Sequence, residues 1–448
     1  MEKTNLKIRW AIPLFLVAMG IGTSSVFAAG TYDGGDGSQG NPFEVNTPAQ
    51  MDEIGQHSED WASHFILTAN IDLSAYTGTA FHIIGTDYDN PFTGAFDGND
   101  HTISNFTYSS TGVSFIGLFG YVGSGEIKNL GLQNVNVDGG TGWNVGGLVG
   151  LNEYGTVSNC YATGNVSGDK RVGGLLGLNY YDSTVSNCYA TGTVSGVSWV
   201  GGLVGINHFG TVSICYAAGN VFGSGSVGGL VGYNNYGTVS KCYATGTVSG
   251  DILVGGLVGY RYYGTVSNCY ASGTVTGGSE VGGLVGWNNS TVSNCYATGS
   301  VSGSSIVGGL VGYDYFGTVT ASFWDIDTSG QAISAGGTGK TTVQMQTQST
   351  FTDAGWDFVG ETANGTDDIW RMCVDGVEYP KLYWQFMLGD FLCPDGVNLI
   401  DFSFFAERWL NDNCGAANDC DRTDLDFSDM VDVADLRIFC SHWLEGTE

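Results

Sequence analysis

Residues 227–250 read VGGLVGYNNYGTVSKCYATGTVSG, and residues 254–277 repeat them as VGGLVGYRYYGTVSNCYASGTVTG. The valine that opens each block recurs as Val145, Val172, Val200, Val227, Val254, Val281 and Val307, at intervals of 26 to 28 residues. Phe115-Ile116-Gly117-Leu118-Phe119-Gly120 is an earlier, weaker copy. Such a period marks a solenoid, because one short unit cannot bury its own apolar face and must stack on its neighbours. Runs such as Thr-Val-Ser-Asn-Cys-Tyr carry β-branched residues between Gly and Asn turns, and no 3.6-residue period is sustained, so the unit is built of strands. The expected fold is mainly β: a parallel β-solenoid (β-helix) of about eight coils of ~27 residues, stacked ~4.8 Å apart, with capping regions and a small α-helical domain at the C-terminus.

In a solenoid, equivalent residues form columns. Cys160, Cys188, Cys215, Cys242, Cys269 and Cys295 share a position that is Leu130 in the first coil and Ser322 in the last. That set describes an interior column of modest volume, in which free Cys behaves as a small buried hydrophobe. Asn152, Asn179, Asn207, Asn234 and Asn288 form a second column, with Arg261 and Asp314 as exceptions; stacked amides can satisfy one another. Tyr161, Tyr189, Tyr216, Tyr243, Tyr270 and Tyr296 follow the cysteines and should stack on one face. A further aromatic set, Tyr154, Tyr181, Phe209, Tyr236, Tyr263 and Phe316, with Trp287 nearby, sits at the adjoining turn. If exposed, it is a ribbon suited to the apolar faces of sugars; packing alone is the alternative. Thr191 with Thr193, and Thr245 with Thr247, lie two apart, which on one strand would give a hydroxyl array for an ordered lattice, although Thr is also simply a good strand residue.

The wording VGGLVG…TVSNCYATGTVSG resembles the GLUG repeat of bacterial exported and surface proteins, over roughly residues 113–322. The resemblance implies an adhesive or binding role and brings no catalytic residues.

Composition bounds the function from outside the array. With 14 Lys+Arg against 44 Asp+Glu, nucleic acid and anionic membranes would be repelled, so no nucleic-acid role is expected. Lys3, Lys7 and Arg9 precede an apolar run from Trp10 to Met19, and Val26-Phe27-Ala28 offers a cleavage site, so residues 1–28 read as a secretory signal peptide. No later run is long enough to span a membrane, and the expected location is secreted, extracellular or attached to the cell surface. The 11 cysteines then stand where disulfides are permitted. Cys414 with Cys420, or Cys393 with Cys440, are options, Cys373 completing the set outside the ladder, with one thiol left over.

Beyond residue 386 the sequence changes. VNLIDFSFFAERWL (397–410) and VDVADLRIFCSHWL (431–444) match in register at an offset of 34, each an acidic run leading into a short helix. Asp424, Asp426, Ser428, Met430 (through its carbonyl), Asp432 and Asp435 fall at positions 1, 3, 5, 7, 9 and 12 of a loop that could wrap Ca²⁺ in oxygens. Position 6 is Asp429, where Gly is usual. The first loop departs more but keeps Asp390, Asp395, Asn398 and Asp401 as oxygen donors. This duplication resembles a type I dockerin module over about residues 387–448, which implies Ca²⁺-ordered helices that dock a cohesin-like partner. By that resemblance the contacts are Phe402, Ser403 and Glu407, or Leu436, Arg437 and Ser441.

The expected organisation is thus a signal peptide (1–28), an N-terminal cap with the first coils (29–112), the repeat array (113–322), a cap of the solenoid (323–386) and the dockerin-like module (387–448). Catalysis finds little support. Glycoside hydrolysis needs two facing carboxylates, and the array's acids are scattered over coil positions. Asp87/Asp89, Asp97/Asp100, Asp325/Asp327 and Asp367/Asp368 read as turn residues. A lyase for acidic sugars wants Lys or Arg, and the array holds only Lys128, Lys170, Arg171, Lys241 and Arg261. The reading is a non-catalytic binding or adhesion protein for a polysaccharide or cell-surface ligand, tethered through its Ca²⁺ module. The alternatives are a polysaccharide-degrading β-helix enzyme with its site in residues 30–112 or 323–386, and a structural stalk.

Overall fold

A computed structural model describes residues 30–386 and, beyond them, 388–392, 396–412, 414, 419–426, 428 and 430–443. The expected signal peptide and Asp395 lie outside the described residues. The chain winds into a parallel β-solenoid of about ten turns, its strands collected into sheets of 17 and 22. The repeat register read from the sequence holds throughout: Val145 pairs with Val172, and so on through Val200, Val227, Val254 and Val281 to Val307.

The extra turns come from the N-terminal side. One interior column runs Phe43, Phe65, Phe96, Ile127, Val157, Val185 and onward to Val319, so the region before the array stacks directly on it. Bulky Phe fills the first coils and Val the later ones, a taper set by side-chain volume. The helix Pro48–Gln56, opened by a Thr47/Gln50 capping box, buries Met51 and Ile54 against these first coils.

Each coil turns three corners, and a residue with positive φ stands at each. One column includes Arg171 (φ 55°), Trp199 (φ 58°) and Leu253 (φ 58°); the second includes Tyr154 (φ 55°) and Tyr236 (φ 55°); the third includes Asn159 (φ 52°) and Asn268 (φ 52°). Left-handed backbone lets the chain change direction without lengthening the loop. The paired glycines of VGGLVG are needed for a different reason: a Cβ on Gly229 would lie 2.0 Å from the Gly256 carbonyl oxygen of the next coil.

The interior columns satisfy their own polar groups. Each ladder cysteine is buried, and its S–H donates to the carbonyl two residues earlier, at 3.0–3.1 Å from Cys160 through Cys295. In the last coil the Ser322 hydroxyl makes the same bond to Thr320 at 2.8 Å, which is why Ser serves there. All six ladder cysteines are free thiols, and burial pushes those of Cys160, Cys215, Cys242 and Cys269 well above their ordinary range.

The amides bond in series: Asn152 Nδ2 donates to Asn179 Oδ1 (3.0 Å), Asn179 to Asn207 (2.9 Å) and Asn207 to Asn234 (2.9 Å). Arg261 enters this ladder fully buried, donating to Asn288 Oδ1 (2.7 Å) and to the Gly264 carbonyl (2.7 Å), with its Nε left unpartnered. Burial lowers its pKa to about 10.

The tyrosines after the cysteines stack as expected, with ring centroids 4.7–5.0 Å apart from Tyr161 to Tyr296. Only the first part of 323–386 closes the open end. There Ile333 and Ala335 bond the backbone of Gly309 and Val311, and Trp324 lies against Gly309. The remainder lies along the flank, because the tyrosine ladder presents an apolar face that requires cover. Met345, Phe351, Trp356, Trp370 and Leu382 bury Tyr270 and Tyr296, and Trp384 stacks on Tyr243 while its indole donates to the Lys241 carbonyl.

Thr191 and Thr193 do not share a strand. They flank a bend at Gly192 between the short strands Tyr189–Ala190 and Val194–Ser195, and the flat hydroxyl array is not formed there.

The amide ladder yields a paired prediction. Asn207→Ala strands a buried donor on Asn179 and a buried acceptor on Asn234, and should cost about 2 kcal/mol or more in urea unfolding. Arg261→Asn removes a buried unpaired charge and restores the amide series, so its unfolding midpoint should rise. A fall in that midpoint would show that the guanidinium, not the amide, fits the column.

Candidate functional site

The corner aromatics are stacked, and all but the half-buried Tyr181 are exposed. Tyr154, Tyr181, Phe209, Tyr236 and Tyr263 lie one above another with centroid separations of 5.7, 6.0, 4.8 and 4.8 Å. All five occupy left-handed backbone, φ 41–55°, a conformation that bulky residues rarely adopt. The ring stack helps to hold them there, and the outer edges remain in solvent.

Two of the residues expected in this ribbon sit elsewhere. Trp287 belongs to the neighbouring column, in register with Tyr260 and Tyr313. Phe316 is 86% exposed and touches Tyr315, not Tyr263. The reason is local: the coil opened by Val281 is one residue shorter, its register shifts between Tyr262 and Thr265, and Asn288-Asn289-Ser290 supplies no aromatic corner.

Beside the ribbon runs a groove of about 460 Å³ that the sequence reading did not anticipate. Its floor is the column Tyr121, Leu151, Leu178, Ile206 and Tyr233, which packs together outside the main core. One wall carries Glu153, Tyr180, His208 and Asn235, each adjoining a ribbon residue; the other carries Phe115, Asn144, Arg171 and Trp199. The legible signal was the position before each ladder Asn, which is apolar in every copy: Leu151, Leu178, Ile206, Tyr233 and Trp287 among them.

Polar groups punctuate this apolar trough. The Tyr121 hydroxyl donates to the Glu153 carboxylate, and burial with that bond drives the phenol well above its ordinary range. Arg171 is held between the rings of Trp143 (5.6 Å) and Trp199 (5.7 Å), and donates to Asn144 Oδ1 at 3.3 Å. Burial lowers the pKa of Arg171 and also that of His208, to which Arg171 adds. His208 Nδ1 accepts from Asn235 Nδ2 at 2.6 Å, which leaves Nε2 as the ring's donor. Hydrogen bonding with Tyr181 and burial push the Tyr180 hydroxyl up to about 12.

The acid pairs do turn chemistry. Asp87 accepts from the backbone of Asp89 and Asn90, Asp97 accepts from Asn99, and Asp325 caps a short helix through Asp327 and Thr328.

In the C-terminal module the two loops share one construction. Asp401 Oδ1 accepts from the amides of Phe391 (2.7 Å) and Leu392 (2.8 Å), and Oδ2 from Asn398 (3.0 Å). Asp435 repeats this with Leu425, Asp426 and Asp432. Asn398 and Asp432 then cap the helices Leu399–Glu407 and Val433–Ser441. The second loop brings carboxylate oxygens of Asp424, Asp426 and Asp435 within 4.8 Å of one another, with Asp426 exposed. Ser428 donates its hydroxyl to the Met430 carbonyl. In the first loop Leu392 stands where the second has Asp426, and Arg371 Nη2 lies 3.9 Å from Asp390. Of the expected docking residues, Phe402, Ser403, Glu407, Arg437 and Ser441 are exposed and Leu436 is half-buried. Cys414 and Cys420 are bridged, whereas Cys440 is a free thiol, which removes the Cys393–Cys440 option.

Among the described residues no helix is long and apolar enough to cross a membrane. The family of the GLUG motif matches residues 141–167, 168–195, 223–249, 250–276 and 277–302. "Halomucin" of Haloquadratum walsbyi is 40% identical over 154 residues, which are 33% of this chain and 2% of that protein. A "Putative Gly-rich membrane protein" of Evansella cellulosilytica is 38% identical over 148 residues, 32% of this chain and 16% of that one. The chain thus spans a small part of the length of these curated relatives. The solved structure of a "putative immunoglobulin A1 protease" from Bacteroides ovatus covers 79% of this chain and 95% of its own, at 21% identity and a TM-score of 0.45. Five coils of the solenoid thus match the GLUG motif, and the coil at 196–222, which that family does not match, keeps the same Val, Asn and Cys columns.

Proposed function

We propose that this chain is an exported, surface-acting binding protein without catalytic activity, whose solenoid engages a glycan or cell-surface ligand. The observation that carries this reading is the five-ring ribbon from Tyr154 to Tyr263. Exposed aromatics spaced at the coil repeat, in a backbone conformation costly for them, make a flat apolar strip on which pyranose rings can stack. The names of the relatives, "Halomucin" and a "Putative Gly-rich membrane protein", favour a surface setting.

The C-terminal module is the tether in this proposal. Asp424, Asp426, Ser428, the Met430 carbonyl, Asp432 and Asp435 would hold one Ca²⁺, and the exposed helix faces would meet a cohesin-like partner. The second loop supplies hard oxygen donors at the spacing such an ion requires. The competing reading, a polysaccharide-degrading enzyme, is less well supported, since among the described residues Glu153 is the single carboxylate lining the groove.

Retention on a panel of insoluble polysaccharides, with simultaneous assay for reducing and unsaturated ends, tests the ribbon. Retention without released ends, lost when Phe209, Tyr236 and Tyr263 are replaced by Ser, is expected; released ends would make the chain an enzyme. For the tether, calorimetric titration of the full chain with Ca²⁺ should show binding that Asp426→Asn weakens by about tenfold. No heat of binding would remove the Ca²⁺-dependent tether.

A further inference from the structure

Among the described residues Arg171 is the one Lys or Arg lining the groove, and it forms no ion pair with any carboxylate. That is unexpected in a chain where 44 acids face 14 bases, because partners are abundant. Its Nε is buried without a hydrogen-bond partner, and its polar contact is a neutral amide, Asn144, at 3.3 Å. Trp143 and Trp199 hold the guanidinium in place, so the fork is already oriented before anything binds. A second orphan, the Asn235 Oδ1 acceptor, lies along the opposite wall.

The dimensions fit an extended chain. Five floor residues on successive coils, ~4.8 Å apart, give a trough of about 19 Å, the length of a few linked pyranose rings. An apolar floor with polar atoms spaced along both walls matches an oligosaccharide, whose rings alternate C–H faces with hydroxyl edges. A hydrocarbon chain would leave those polar atoms unsatisfied, and a nucleic acid, with a phosphate at every nucleotide, would bring further negative charge against Glu153 than Arg171 alone can pair.

We propose that this groove binds an acidic glycan segment, a uronic-acid-containing chain whose carboxylate pairs with Arg171 over Leu178 and Ile206. Glu153, at the Tyr121 end, repels a second carboxylate there and accepts hydroxyls from a neutral residue instead. Asn235 and His208 take hydroxyls on the other side of the acidic ring. The inference rests on the glycan-binding reading above but concerns a separate surface from the ribbon.

The test is calorimetric titration of the full chain with a tetrasaccharide that carries one uronic acid among neutral residues and with its carboxyl-reduced, neutral counterpart. The acidic oligomer should bind about tenfold or more tightly than the neutral one, and the preference should shrink between roughly 50 and 500 mM NaCl. Arg171→Gln should abolish the preference for the acidic oligomer, whereas Arg171→Lys, which keeps the charge, should retain part of it. Equal affinity for the two oligomers in the wild-type chain, which needs no variant to fold, would overturn the proposal, as would failure of the acidic oligomer to bind. Loss of retention on polysaccharides in the ribbon variants alone would speak to the ribbon and not to the groove.

Discussion

Nearly every side chain in the array has a copy of itself as its neighbour, one coil above and one below. That single constraint orders the rest of the structure. Whatever occupies a column must pack against itself at strand spacing, and must satisfy its own polar atoms with what the next copy offers. Val does so by volume, Asn by donating one amide proton along the axis, Tyr by ring stacking, and Cys by turning its S–H onto the carbonyl two residues back. None of these bonds is strong alone, yet each recurs at every turn, so stability accumulates with the number of coils.

The same constraint explains why some surfaces are covered and others open. Identical aromatics in register build a continuous apolar strip. On the tyrosine flank the chain covers half of that strip itself, laying Trp370 and Trp384 over Tyr270 and Tyr243. On the opposite corner, among the described residues, no segment returns to cover Tyr236 or Tyr263, and the adjacent trough keeps its apolar floor accessible. Large exposed apolar patches of this kind are uncommon on proteins that act alone.

Much of the fold was legible because a period of 27 residues names its own columns. The Val register, the buried thiols and the amide series could all be read from spacing and residue type. The corners were harder. An aromatic at positive φ contradicts local preference, and only the three-dimensional stack reveals why Tyr154 and Tyr236 stand where Gly or Asn would be cheaper. The groove was missed for another reason, although the apolar position before each ladder Asn marks its floor. Leu151 sits beside core residues in sequence, and nothing in a one-dimensional pattern separates an apolar position facing the interior from one facing a trough. Arg171 looked like an irregularity of the repeat until Trp143 and Trp199 were seen on either side of it. The helical module was read best where its two halves matched: Asp401 and Asp435 bond equivalent amides.

The amide series also has a direction, since every donor points toward the C-terminal end, and it is interrupted once. Asn234 receives a proton from Asn207 but gives its own to the Gly237 carbonyl, because Arg261 above it cannot accept; from Arg261 the series restarts and ends on Asp314. The amide column is therefore two polar spines laid end to end, and the coils at that level are joined by backbone pairing, ring stacking, the Cys269 Sγ contact with the Val239 carbonyl, and the flanking segment through Trp384 and Gln385. Under tension along its axis, the rod has a built-in seam between the coils of Asn234 and Arg261, where separation breaks no side-chain bond of the amide column.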